Sequence, residues 1–190
     1  MRCIVMAVFV FVVCGCSGPR EFQPFQNVEV KIIYEDTASV RALESMPGSV
    51  GFAGSTGLFG SVDLQDLTVR TSRITYRGVR PEFRAVAHTS QDFFMLSAGD
   101  PALLYKTGDS GEMELVYEES GPGVFYDSMD FWDAQNGIAI GDAMDGCLSI
   151  LISRDGGNRW AKIPCGELPA ALPGEGAFAA SDTNIAISGD

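Results

Sequence analysis

Histidine is nearly absent from this sequence, which holds a single one, His88, among 190 residues. That scarcity excludes a metal site built from several histidines and argues against a Ser-His-Asp triad, so His88 is interpreted as a polar loop residue. The sequence has no Cys-x-x-Cys pair for zinc, and no glycine-rich turn between a strand and a helix that would cradle a dinucleotide. We therefore expect no metal and no cofactor.

Positive charge is also scarce. The chain has 13 Lys and Arg against 25 Asp and Glu, which gives a formal net charge of −12. No basic patch interrupts this balance, and a negative surface repels nucleic acid and anionic lipid headgroups. We expect no nucleic-acid partner.

Apolar runs long enough to cross a bilayer are missing as well. The apolar run at residues 4–13 has ten residues and follows Arg2. Ten helical residues rise about 15 Å, half the thickness of a bilayer core. This run is therefore predicted to be the apolar region of a signal peptide rather than a membrane-spanning helix.

The residues that follow the apolar run predict a lipid anchor. Residues 13–16 read Val-Cys-Gly-Cys, which resembles the bacterial lipobox and implies cleavage before Cys16 and acylation of that cysteine. The alternative is an ordinary signal peptide with a cysteine nearby by chance. Cleavage would leave 12 basic and 25 acidic side chains, so lipid rather than charge would hold the protein to its membrane. We expect a signal peptide at 1–15, a tether at 16–27, and a protein of the cell envelope that faces the periplasm or the exterior.

The remaining chain is periodic. Arg41, Arg84 and Asp127 lie 43 residues apart in short apolar segments, and two further markers recur at similar intervals. These are tyrosines that end β-rich stretches (Tyr34, Tyr76, Tyr117) and glycines before Ser or Asp (Gly54, Gly99, Gly141, Gly189). An interval of about 40–45 residues is typical of propeller blades. The segments alternate apolar with polar residues and are cut by Gly, Pro, Asp and Ser, which indicates strands.

The repeat predicts an all-β fold, a β-propeller with four-stranded blades that occupies residues 28–190. The predicted blades are 39–77, 83–118, 125–165 and an incomplete 175–190, with residues 28–34 as an orphan outer strand. We expect an incomplete ring of about three and a half blades, an open arc that leaves Val30, Ile32 and residues 176–189 poorly covered. Strands of the third blade are predicted at 125–131, 137–141, 147–153 and 159–164.

One turn of the third unit carries a family resemblance. Residues 153–160 read Ser-Arg-Asp-Gly-Gly-Asn-Arg-Trp, which resembles the Asp-box at each consensus position: Ser153, Asp155, Gly157 and Trp160. Residues 107–111 hold a degraded copy. The chain resembles Asp-box (BNR-like) repeat propellers, above all photosystem II assembly-factor-like proteins and related bacterial lipoproteins, some labelled oxidoreductases. The resemblance implies the architecture. It leaves function open, because sialidases, xyloglucanases and sortilin-like receptors share this turn.

A candidate binding face follows from threading the repeat onto four-stranded blades. It places six side chains on one face around the channel, opposite the 153–160 turn: Arg41, Arg84, Asp100, Tyr126, Asp127 and Asp142. Arginines and carboxylates around one funnel could bind a polar ligand, a carbohydrate or a basic peptide. The alternative is that the Gly-Asp pairs cap tight turns and the arginines neutralise them.

Two cysteines of the predicted mature domain are expected to pair. In a hairpin centred near Gly156, Cys147 and Cys165 lie opposite each other. Disulfides persist in an exported protein, so the sequence predicts this bridge.

The function that these observations favour is a non-catalytic envelope lipoprotein, a scaffold whose channel face binds a protein or carbohydrate. One alternative is a glycoside hydrolase, sialidase-like or xyloglucanase-like, that uses Asp127 or Asp142 as acid or base; the Arg-Ile-Pro start of sialidases is absent. A second alternative, an oxidoreductase, rests on the labels of similar propellers.

Overall fold

A computed structural model describes residues 27–177 and 184–188 of the chain. The chain divides into a unit that ends at Ile32 and a unit that begins at Ile33. The described residues of the first unit, 27–32, carry neither helix nor strand, and Val28 and Val30 are exposed. Cys16, the predicted lipidation site, lies outside the described residues.

The second unit is built from three antiparallel sheets of four strands, each in chain order. Sheet 1 comprises β1 (Val40–Met46), β2 (Ser49–Gly54), β3 (Leu58–Asp63) and β4 (Val69–Arg73). Sheet 2 comprises β5 (Phe83–His88), β6 (Phe93–Ser97), β7 (Ala102–Thr107) and β8 (Met113–Glu119). Sheet 3 comprises β9 (Tyr126–Phe131), β10 (Gly137–Met144), β11 (Cys147–Ser153) and β12 (Ala161–Lys162). Short 3-10 turns occupy Ser55–Gly57 and Cys165–Glu167. The prediction of an all-β fold with four-stranded blades is confirmed, and the three sheets do not close into a ring.

The sheets pack face to face, with sheet 2 in the middle. Alternate residues of its strands point to opposite faces, so neighbouring positions enter different cores. Phe83, Met95 and Leu103 belong to the core shared with sheet 1. Phe94 and Leu104 belong to the core shared with sheet 3. The first strands of the three sheets, β1, β5 and β9, lie side by side along the row.

Burial along β11 shows the same alternation at the end of the described row. Cys147, Ser149, Leu151 and Ser153 are buried, whereas the residues between them are only half-buried. The buried set faces sheet 2, where Leu151 joins the shared core. The isoleucines at 150 and 152 point the other way, so this sheet is apolar on both faces, as stacking on both sides requires.

The structure differs from the sequence prediction at the two ends of the repeat. Residues 28–34 were predicted as a strand but carry none, and no strand occurs in 175–177 or 184–188. A strand is defined by its hydrogen-bonded neighbour, and none of the described strands pairs with these segments. The outer strand β12 is also shorter than the predicted 159–164. Over 27–177 and 184–188, no helix is long and apolar enough to cross a membrane.

Candidate functional site

Each of the three first strands carries a β-bulge near its beginning. The pairing register shifts between Val40 and Ala42 on β1, between Phe83 and Ala85 on β5, and opposite the Ile140–Gly141 step on β9. The extra residues at these bulges are Arg41, Arg84 and Asp127. A bulge leaves one residue outside the ladder and re-aims its side chain, which explains why a charged residue recurs at this place in the three strands.

The three bulge residues differ in their exposure. Arg41 is exposed, Arg84 is half-buried and Asp127 is fully buried. Because the first strands are neighbours, the bulges lie along one end of the row of sheets. Arg41 forms no hydrogen bond or ion pair with the other two within the described part of the chain.

The Asp127 carboxylate is the most unusual group at this end. Its side chain is 0% exposed, and neither carboxylate oxygen has a hydrogen-bond partner among the described residues. The pKa of Asp127 is raised to about 7, chiefly by burial and also by the nearby charge of Asp142, while the charge of Arg84 opposes the shift. The Nε atom of Arg84 is likewise buried without a partner in the described structure, and its guanidinium lies 5.9 Å from the centre of the Phe125 ring. The charges of Arg84 and Asp142 therefore both act on Asp127.

Asp142 combines this charge with a backbone role. Its amide donates a 3.0 Å hydrogen bond to the carbonyl of Phe125, and its Oδ1 accepts one of 3.0 Å from the amide of Ala177. A Cβ at the preceding Gly141 would collide with the Phe125 carbonyl oxygen, so this close approach of two strands requires glycine. Asp142 lies within β10 and accepts from a residue 35 positions further along the chain, so it does not cap a tight turn of its own.

Tyr126 lies away from this cluster. The sequence placed it on the binding face, but its ring is buried in the core between sheets 2 and 3. Its hydroxyl donates to Glu119 Oε2 at 2.7 Å, and Lys162 Nζ donates to the other oxygen of Glu119 at 2.6 Å. Tyr126 precedes the bulged residue, so it keeps the strand's ordinary inward direction and fills space between the sheets.

Asp100 also has a local role. It is exposed, and its Oδ1 accepts a 3.1 Å hydrogen bond from the amide of Gly121. It therefore caps a neighbouring loop, as the alternative interpretation of these pairs expected. Of the six predicted side chains, the structure brings together Arg84, Asp127 and Asp142, leaves Arg41 exposed at an equivalent bulge, and separates Tyr126 and Asp100.

The turn at residues 153–160 stabilises itself. Ser153 Oγ accepts a 2.9 Å hydrogen bond from the amide of Gly157, and Asp155 Oδ1 accepts one of 2.9 Å from the amide of Arg159. Gly157 has a φ of 79°, a left-handed conformation that favours glycine. Trp160 folds back beneath the turn and is buried. These contacts give each conspicuous side chain of the motif a structural role.

A disulfide joins Cys147, the first residue of β11, to Cys165, which begins a 3-10 turn; the two Cα atoms are 5.6 Å apart. The pairing is the one that the hairpin register predicts. Among the described residues, no group of three or more His, Cys, Asp or Glu side chains could hold a metal ion.

Comparisons with known proteins bear on the fold. No protein-family model and no curated protein matches the chain. Similar solved structures include one titled "YCF48 bound to D1 peptide", with a TM-score of 0.51 and 12% identity over 66% of this chain and 39% of that chain. Another is titled "Structure of U3-55K", with a TM-score of 0.50 and 10% identity over 69% of this chain and 40% of that one. Both are propellers.

The three sheets are blades of a β-propeller. The chain spans about two fifths of the length of these two structures. In a propeller the first strand of each blade lines the central channel. The bulges on β1, β5 and β9 are thus at the channel, and the end of the blades that carries Arg41, Arg84 and Asp127 is hereafter called the channel face.

Proposed function

We propose that this chain is a non-catalytic binding scaffold of the cell envelope, held to a membrane by lipid on Cys16, whose channel face recognises a protein partner. In this proposal the 153–160 turn is an Asp-box, which holds the blade together and takes no part in recognition. The observation that carries the proposal is the Asp127 carboxylate, buried with neither oxygen hydrogen-bonded in the described structure.

A buried carboxylate without partners is costly, and the cost falls when a donor reaches it. A lysine or arginine side chain of a partner would satisfy both oxygens through charge-assisted hydrogen bonds. Arg84, beside it, still has a buried Nε–H to donate to a peptide carbonyl. The pair therefore suits a polar peptide segment with a basic side chain. Entry would displace the residues that cover Asp127, so binding would proceed by induced fit.

The comparison supports a protein partner over a small molecule. A propeller of similar fold is described as bound to a peptide. At 12% identity this similarity concerns the architecture alone and does not extend to the side chains of the channel face.

Site-specific photo-crosslinking in the native cell tests the proposal. A photoreactive residue at position 41 stands at the channel face, and one at position 132 follows the opposite end of β9 and is the matched control. We expect a discrete protein adduct from position 41 and none from position 132. The adduct should weaken in an Arg84→Gln, Asp127→Asn double variant. Equal labelling from both positions, or an adduct indifferent to the double variant, would contradict a channel-face scaffold.

One observation favours a second candidate, a glycoside hydrolase. Asp127 has a pKa of about 7 and feels the charge of a second carboxylate, Asp142, which is the electrostatic arrangement of a general acid beside a base. The test is hydrolysis of a panel of aryl glycosides by the full chain. Turnover that Asp127→Asn abolishes would favour the enzyme, whereas crosslinking without turnover favours the scaffold.

A further inference from the structure

A cleft of about 360 Å³ opens between sheets 1 and 2, apart from the bulges of the channel face. Its apolar lining includes Met46, Phe59, Phe93 and Met113, and its polar lining includes Ser61 and Arg70. A volume of this size is at the lower end of ligand pockets, which measure about 300–1,000 Å³. It suits one large side chain rather than a long segment.

The corresponding place between sheets 2 and 3 is filled. Gly51 pairs with Ser61 in sheet 1, and Phe94 pairs with Lys106 in sheet 2. These two pairs occupy equivalent positions in their sheets, so the spaces beside them can be compared directly. The ring of Phe94 lies 4.5 Å from that of Phe131. Lys106 Nζ donates to Asp92 at 3.1 Å and to Asn158 at 2.8 Å. An aromatic ring and a long polar side chain thus close the second interface.

The first interface lacks both groups because glycine and serine stand in their place. Phe93 leans towards the gap, and its ring occupies the space that a Cβ at Gly51 would need. The cleft nevertheless remains open beside it, with Met46 and Met113 in its lining. Methionine side chains are adaptable and make favourable sulfur contacts with aromatic rings. A further aromatic ring in the open part of the cleft would therefore contact methionine sulfur as well as the Phe93 ring.

Arg70 supplies the charge at this cleft. It lies on β4 and is exposed, and its side chain forms no hydrogen bond or ion pair with any described residue. The pKa of Asp66, on the preceding turn, is lowered chiefly by the hydrogen bond from the amide of Thr68. The charge of Arg70 contributes a smaller part of that shift. In a chain of net charge −12, a cation without a tight partner beside an apolar cleft is complementary to a carboxylate.

We infer that the cleft between sheets 1 and 2 is a second binding site, which takes an aromatic side chain flanked by a carboxylate from a protein partner. The ring lies on Phe59, Phe93 and the two methionines, beside the space that Phe93 already occupies next to Gly51. The carboxylate faces Arg70. This site is independent of the channel face, and its occupancy does not require the function proposed above.

The test uses two small probes on the full chain in detergent micelles, followed by NMR. N-acetyl-tryptophan carries the ring and a carboxylate, and N-acetyl-tryptophanamide carries the same ring without the charge. Both should shift the resonances of Gly51, Phe93 and Met113, and the acid should bind about threefold more tightly, as expected for an exposed ion pair. Arg70→Gln should equalise the two affinities, while Arg159→Gln, which replaces an exposed arginine of the 153–160 turn, should leave the preference unchanged.

A filled cleft provides the second variant. Ser61→Phe should weaken the binding of both probes at least tenfold, and circular dichroism will show whether this variant folds. Should it fail to fold, Arg70→Gln decides, because that exposed substitution leaves the sheets intact. No shifts at the cleft residues with millimolar probe would overturn the inference. So would equal affinities of acid and amide in the unmodified chain, or shifts confined to the channel face.

Discussion

The Nε1 atom of Trp160 donates a hydrogen bond of 3.1 Å to the carbonyl oxygen of Gly157, three residues earlier in the same turn. The indole ring lies 5.7 Å from the ring of Phe131, edge-on, and Phe131 in turn contacts Phe94 of the middle sheet. A short local motif is thereby connected to the core between two blades. Its side chains hold sheet 3 against sheet 2 as well as shaping the hairpin.

The two tryptophans of the chain provide a matched test of this anchoring role. Trp160 is 8% exposed and Trp132 is 45% exposed. Trp160→Ala should lower the free energy of unfolding by about 3–5 kcal/mol through the cavity that it leaves. Trp132→Ala should cost less than about 1 kcal/mol. Denaturation followed by circular dichroism measures both changes, and similar losses in the two variants would show that the turn does not anchor the blade.

The buried carboxylate of Asp127 should make stability depend on pH in a definite direction. Its pKa is about 7 in the folded chain against an ordinary value of 3.8. Between about pH 4 and pH 7 the unfolded chain releases a proton that the folded chain retains, so stability falls as the pH rises. Above pH 7 this decrease in the free energy of unfolding is complete and amounts to about 4 kcal/mol at most.

Asp127→Asn removes this titration. The variant should match the unmodified chain near pH 4 and melt at a higher temperature above pH 7. Asp133 is the control of opposite sign: its pKa is lowered, first by the side chain of Asn136. Asp133→Asn should therefore destabilise the chain near pH 7 and lose its effect in acid. If the melting temperatures of the Asp127→Asn variant and the unmodified chain changed equally with pH, a pKa of about 7 for Asp127 would be refuted.

The Cys147–Cys165 bridge should contribute to the stability of sheet 3. It closes a loop with a sequence separation of 18, for which an entropic estimate gives about 3 kcal/mol. Replacing both cysteines with serine should lower the unfolding midpoint accordingly. Mass spectrometry after alkylation of the exported, unreduced protein should show neither cysteine modified, and two alkylated thiols would exclude the bridge.

The lipid anchor is tested independently of the fold. Two or three acyl chains, each contributing about 0.8 kcal/mol per buried CH₂, should hold the protein on its membrane through a carbonate wash. Cys16→Ala should release it or halt its processing, and Cys14→Ala provides the nearby control. Full membrane retention of the Cys16 variant would disprove acylation at that residue.

The sequence was sufficient for the architecture because the relevant signals are local and repeated. The 43-residue interval between Arg41, Arg84 and Asp127 marks three equivalent strands, and in the structure each of these residues is the extra residue of a bulge. The predicted strand at 147–153 agrees with β11 to the residue. The alternation of apolar and polar residues, together with the turn residues, predicts where strands begin and end. This prediction does not depend on contacts between sheets.

Side-chain direction was harder to predict, since it depends on contacts between sheets. Tyr126 and Asp127 are adjacent in sequence, yet one fills the core and the other lies at the bulge. Only the register shift on β9 gives their side chains different directions, and neither residue type predicts that shift. The strand predicted at 28–34 was wrong for a related reason: its alternating apolar residues suit a strand, but strand formation also needs a hydrogen-bonded partner.

The alternation of sheet 2 between two cores has a consequence for local unfolding. Of the two cores in the described part of the chain, sheets 1 and 3 each contribute to one, whereas sheet 2 is released only when both are broken. Backbone amides of β6, including those of Phe94 and Leu96, should therefore exchange with solvent deuterium last. In these 190 residues, amides of β3 and β11 should exchange earlier than those of β6. The slowest-exchanging amides would then identify sheet 2 as the most rigid of the three described blades.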